Sequence, residues 1–123
     1  MIKLDHLSIS VADHERLRDW YCRHFRFKVE FEVPERSTVA LQDDAGLTLF
    51  LVKEPERARR PSCGLTFQVE EVETKYWELA AAGLQFVNAP QKLFWGYGAE
   101  LTDPDGYLIY LWDERSMREK SGA

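Results

Sequence analysis

His6-Leu7-Ser8-Ile9-Ser10-Val11, followed by Ala12-Asp13, has a counterpart in Gly64-Leu65-Thr66-Phe67-Gln68-Val69, followed by Glu70-Glu71, at an offset of 58 residues (6 to 64). Both stretches alternate apolar with small or polar side chains, the period-two pattern of a half-buried strand. In a chain of 123 residues, one internal repeat of this spacing makes duplication the first fact about the architecture. Each strand feeds a helix. Asp13 is a suitable N-cap for a segment ending near Phe25, with Leu17, Trp20, Tyr21 and His24 or Phe25 along one face. The second segment, from about Glu71 to Ala82, carries Val72, Tyr76, Leu79 and Ala80 as its apolar stripe, and Gly83 suits its left-handed exit.

Three short strands follow each helix. They are read over Lys28–Val33, Ser37–Gln42 and Thr48–Val52 in the first half, and over Leu84–Ala89, Ala99–Thr102 and Tyr107–Trp112 in the second. Asp43-Asp44-Ala45-Gly46 and Asp103-Pro104-Asp105-Gly106 are the matching hairpin turns. The fold class is therefore α+β, two tandem βαβββ modules spanning 1–52 and 62–114, with a linker over 53–61 and a tail over 115–123. One face of each sheet is covered by its helix, and the other is where function is to be sought.

Composition narrows the partners. Lysine and arginine number 16 against 21 aspartates and glutamates, a formal charge of −5 that repels nucleic acid. No apolar run reaches the roughly 18 residues of a membrane span, and the opening residues have no signal-peptide layout, so a cytoplasmic protein is expected. Cys22 and Cys63 fit no metal or redox spacing and are expected to be reduced and buried or half-buried. No phosphate loop, dinucleotide fingerprint or zinc-finger spacing is present.

The duplicated layout resembles the vicinal oxygen chelate superfamily, which includes glyoxalase I, extradiol dioxygenases and the bleomycin- and fosfomycin-resistance proteins. The local matches are Asp5 to Asp13, the Trp20-Tyr21 pair, and Trp95-Gly96 leading into Asp103-Pro104-Asp105-Gly106-Tyr107. The resemblance runs to about Glu114. It implies curved mixed sheets enclosing a cavity and, in the enzymes of the family, one divalent metal. That metal is held by His, Glu or Gln from the first and fourth strands of each module and acts as a Lewis acid. The matching positions here are His6, Phe50, Gly64 and Tyr110. One imidazole among four places falls short of the roughly three protein ligands a catalytic ion needs. A shift of register brings Glu100, Gln68 or Thr48 into consideration without completing a set, so no metal cofactor is expected.

Period-two alternation turns Phe50 and Tyr110 toward the cavity, where aromatic rings in place of ligands suit the stacking of a flat molecule. The plainer alternative is that they fill the space as core. His6 is a hydrogen-bonding group or general base, or else simply packs with Ser8. Trp95 and Tyr97 fall in Phe94-Trp95-Gly96-Tyr97-Gly98, read as a loop at the cavity mouth or a subunit contact. Trp20 and Tyr21 read as helix core, and His14 and His24 as helix surface. The acidic turns and Arg57 to Arg60 read as solvated, although the net charge and the rings together favour a cationic ligand.

The leading expectation is a metal-independent binding protein of the bleomycin-resistance-like kind. It sequesters an aromatic or amphipathic molecule in the inter-sheet cavity through His6, Ser8, Phe50, Thr66, Trp95, Tyr97 and Tyr110. The competing expectation is an enzyme, a dioxygenase, lyase or isomerase, using His6 in a divalent-metal site or His6 and Tyr110 as acid and base. A third is a structural or regulatory module. In each case a homodimer is expected, with no nucleic-acid or membrane partner.

Overall fold

The computed structural model describes residues 1–122, which divide into two compact units, one over Met1–Pro61 and the other from Ser62 onward. The first unit runs β1 (His6–Val11), α1 (His14–Phe25), β2 (Lys28–Val33), a short 3-10 turn (Pro34–Arg36), β3 (Thr38–Gln42), β4 (Thr48–Lys53) and α2 (Pro55–Ala58). Its four strands form a mixed sheet in the order β1-β4-β3-β2, with β1 parallel to β4 and the other pairs antiparallel. The Asp13 carboxylate accepts from the N–H groups of Glu15 (3.0 Å) and Arg16 (3.3 Å), fixing the start of α1 as a local cap. The helix ends at Arg26, which takes the left-handed conformation at φ 62°.

α1 packs on β3 and β4. Its Leu17 and Tyr21 are fully buried, as are Val11, Val39, Leu41 and Leu51 of the strands. Each such leucine or tyrosine contributes about 1.5–3 kcal/mol over its exposed state. These strand residues share one sheet face, because side chains alternate across a strand. His6, Ser8, Ala40, Thr48 and Phe50 therefore belong to the opposite face.

The second unit runs β5 (Gly64–Gln68), α3 (Val72–Ala81), β6 (Phe86–Leu93), β7 (Gly96–Thr102), β8 (Leu108–Trp112) and α4 (Glu114–Lys120). Its sheet repeats the order of the first as β5-β8-β7-β6, with β5 parallel to β8. Val72 and Leu79 of α3 and Ala99, Leu101, Ile109 and Leu111 of the strands are buried in it. The two hairpin turns are built alike. Asp43 Oδ1 accepts from Ala45 N–H (2.9 Å) and Leu47 N–H (2.8 Å), and Asp103 Oδ1 accepts from Asp105 N–H (2.9 Å) and Tyr107 N–H (3.0 Å). Gly46 and Gly106 both stand at φ 91°, where a side chain would be strained.

The element boundaries read from the sequence need correction. The segment 115–123, read as a tail, carries α4, which packs on β7. The linker 53–61 holds α2, so each fourth strand leads into a helix. The stretch from Phe94 to Gly98, read as a loop, is mostly strand: β6 and β7 meet at Leu93 and Gly96, leaving only Phe94 and Trp95 as the turn.

α3 has no side-chain cap of its own. Asp113 supplies it from 41 residues away, accepting from Val72 N–H at 2.8 Å with one carboxylate oxygen and from Ser116 N–H at 2.6 Å with the other. Only 1 % exposed, this carboxylate is pushed toward its neutral form by burial. The N–H donors of Ser116 and Val72 outweigh that and hold its pKa below the usual value. Among the described residues, no helix is long and apolar enough to cross a membrane, and Cys22 and Cys63 are free, Cys63 being exposed rather than half-buried.

Candidate functional site

On the face of the first sheet away from α1, the register aligns Ser8, Phe50, Ala40 and Phe31 in one row. The His6 ring lies 4.4 Å from that of Phe50, centroid to centroid, and Phe31 meets Phe50 edge-on at 5.6 Å. Phe31 is 43 % exposed, so the cluster is not closed core. A bulge in β2 between Val29 and Phe31 brings Glu30 to the same face, where its Oε2 accepts from the Thr48 hydroxyl at 2.8 Å. His6 Nδ1 is 3.1 Å from Asp5 Oδ2, a pairing that orients the ring. Farther along, the Ser10 hydroxyl donates to Glu54 Oε1 at 2.7 Å.

The equivalent row of the second sheet is Thr66, Tyr110, Glu100 and Asn88. Here the side chains bond to one another. Asn88 Nδ2 donates to Glu100 Oε1, and the Trp95 indole N–H donates to Glu100 Oε2 at 3.2 Å. Trp95 and Tyr110 meet edge to face at 5.6 Å. The Tyr110 ring extends along the sheet toward Gly64, where an added Cβ would stand 2.7 Å from its Cε2. The absent side chain at 64 is what lets the ring lie there.

Tyr97 is not with these residues. One step out of phase with Gly98 and Glu100, it faces α3, and its hydroxyl donates to Glu73 Oε1 at 2.7 Å. Burial first, and then that carboxylate, push its pKa up to about 12. Lys120 of α4 reaches the same Glu73 oxygen at 3.3 Å and stands 5.2 Å from the Tyr97 ring centre. Tyr97 therefore ties α4 to α3, a correction to its placement at a ligand. Of the residues named from sequence, His6, Ser8 and Phe50 share one face, Thr66, Trp95 and Tyr110 share another, and Tyr97 joins neither.

Phe31, Glu30 and Asn88 were missed. The bulge that aims Glu30 depends on pairing between strands and leaves no local mark. Asn88 was legible as a polar residue in an alternating strand, and Glu100 was considered only as a metal ligand.

The family model for the Glyoxalase/Bleomycin resistance protein/Dioxygenase superfamily matches residues 3–111. The chain belongs to this superfamily. Solved structures similar to it include a superfamily member from Sphaerobacter thermophilus, 24 % identical with a TM-score of 0.75 over 92 % of this chain and 98 % of that one. TnmS3, described as an antibiotic binding protein from a Streptomyces species, is 26 % identical with a TM-score of 0.75, covering 91 % of this chain and 96 % of its own. TioX from a Micromonospora species is 22 % identical with a TM-score of 0.68, covering 89 % and 97 % respectively. A search among curated proteins finds no match.

In this superfamily member the four positions that resemblance assigns to metal ligands hold His6, Phe50, Gly64 and Tyr110. Among the described residues, no three His, Cys, Asp or Glu side chains are grouped to hold a metal ion. Glu100, the nearest carboxylate to Tyr110 in register, is engaged by Asn88 and Trp95. His6 is the one imidazole or carboxylate among those four positions, against the roughly three protein ligands a catalytic ion needs.

Proposed function

We propose that this chain binds and sequesters a small aromatic or amphipathic molecule without a metal, and that it does so as a homodimer. The observation that carries the reading is that aromatic rings, Phe50 and Tyr110, occupy equivalent positions on the helix-free faces of the two sheets, both half-buried, with Gly64 giving way to the Tyr110 ring. Flat, partly exposed rings flanked by a few polar groups suit stacking against a planar ligand. Sequestration needs affinity alone, so a protein freed from stabilising a transition state loses nothing when metal ligands are replaced. The similarity to TnmS3, an antibiotic binding protein, supports the same reading.

The test is a fluorescence titration of a panel of planar aromatic compounds, following the intrinsic tryptophan emission. Binding weakened about 10-fold or more in Phe50→Ala and Tyr110→Ala is expected, on the order of the 0.5–1.5 kcal/mol of an aromatic pair plus the lost area. No binding across the panel overturns the reading.

A second reading rests on the His6–Asp5 pair, whose 3.1 Å contact suits an imidazole acting as acid or base. Elemental mass spectrometry after loading with Fe(II), Mn(II), Ni(II) and Zn(II), with turnover assays on a vicinal diol and a 2-oxoaldehyde hemithioacetal, separates the two. Stoichiometric metal or turnover that disappears in His6→Ala puts the enzyme first.

A further inference from the structure

We propose that Glu100 is the counter-ion for a cationic nitrogen on the ligand, so that the binding site selects positively charged aromatic molecules; this rests on the binding reading above and names its ligand class. Both Glu100 oxygens are engaged, one by the Asn88 amide and one by the Trp95 indole N–H. These donors fix its orientation, yet neither carries charge. Among the described residues, no lysine, arginine or histidine stands within ion-pair distance of it. The half-buried carboxylate so placed presents its spare lone pairs on the helix-free face of the sheet.

The fold itself does not ask for this charge. At the equivalent register position of the first sheet, paired with Phe50 as Glu100 is paired with Tyr110, stands Ala40. A methyl group satisfies the same backbone there, so the carboxylate, its amide partner and its indole partner are additions to the frame. The rings of Trp95 and Tyr110 complete a site suited to a cation, since aromatic faces attract positive charge and the carboxylate neutralises it. A neutral or anionic ligand would bury the same carboxylate against nothing that answers it, which disfavours it.

The experiment uses two ring systems of nearly the same shape: 9-aminoacridine, protonated at neutral pH, and acridine, uncharged there. The full-length protein is titrated with each by fluorescence at pH 7. The expected result is a preference for 9-aminoacridine of about 10- to 100-fold, as for a charge-assisted hydrogen bond. That preference shrinks as salt is raised on the wild-type protein alone. In Glu100→Gln the preference falls to within about 2-fold. Glu100→Ala, which copies Ala40, does the same and serves if the amide variant folds poorly. Equal binding of both dyes to wild type, or a preference that survives both substitutions, overturns the inference and leaves the binding reading intact. Binding of neither dye overturns both.

Discussion

The two sheets share a strand order, a register and a turn built on the same aspartate, but their helix-free faces differ in kind. Ser8, Phe50, Ala40 and Phe31 make an apolar row, whereas Thr66, Tyr110, Glu100 and Asn88 make a hydrogen-bonded one. On the helix-covered side the same strands remain alike, with Val39, Leu41, Leu49 and Leu51 answered by Ala99, Leu101, Ile109 and Leu111. Packing against a helix constrains volume and polarity, since a buried polar group or a void there is costly. The other face carries no such obligation. In a duplicated fold, the residues that differ at equivalent register are where chemistry has been written.

The sharpest way to break the likeness is at the helix starts. Asp13 caps α1 from the adjacent residue, while α3 depends on Asp113. Asp113→Ala is expected to destabilise the protein by about 2–4 kcal/mol, since two buried N–H groups lose a charged acceptor, against about 1 kcal/mol for Asp13→Ala. Urea unfolding followed by circular dichroism measures both, and equal effects would refute the distinction. Because the folded Asp113 pKa is lowered, its contribution is present above the unfolded carboxylate value near 4 and is lost as pH falls through the folded value. The gap between wild type and Asp113→Ala therefore narrows on acidification.

A smaller effect separates His6 from Gly64, which open the first strands of the two units. Gly64→Ala forces the Tyr110 ring aside and is expected to cost about 1–2 kcal/mol. Half-exposed His6→Ala should stay within about 0.5 kcal/mol. Combining Gly64→Ala with Tyr110→Ala is expected to recover about 1 kcal/mol of coupling in a double-mutant cycle, and strict additivity would show that the ring is not what the glycine accommodates.

The smallest effect lies at the helix exits. α1 leaves through Arg26 at φ 62°, while the chain after α3 turns at Gly83 with φ 93°. Arg26→Gly is expected to stabilise by about 0.5–1 kcal/mol, reduced by the loss of an exposed contact with Asp44, 3.4 Å long, that is worth little. A lower thermal midpoint in this variant would mean the arginine is held by more than that contact.

Much of this comparison was legible beforehand. The strands announced themselves through alternation, and the turns through Asp and Gly at matching offsets. Phe50 and Tyr110 lie on the helix-free faces, in phase with the alternation along β4 and β8. Tyr97 did not, because the glycines at 96 and 98 suggested a loop where β7 had already begun. With the strand start known, Tyr97 has the same parity as Ala99 and Leu101 and belongs on the helix-covered face. α4 also left signals, an N-capping Asp113 and basic Arg118 and Lys120 in its last turn. What no local pattern carried was pairing at a distance: the bulge at Glu30, the Asn88–Glu100–Trp95 group and the reach of Asp113 to Val72.

That last reach bears on the order in which the protein takes shape during synthesis. Once Ala58 has left the ribosome, the first unit has its helix cap, its hairpin aspartate and all four strands, so it can settle while translation continues. α3 emerges early in its own unit with its leading N–H groups unanswered. It waits 41 residues for the carboxylate that completes it. The amino-terminal half is thus ready as it is made, whereas the half carrying Glu100 closes from its far end backward.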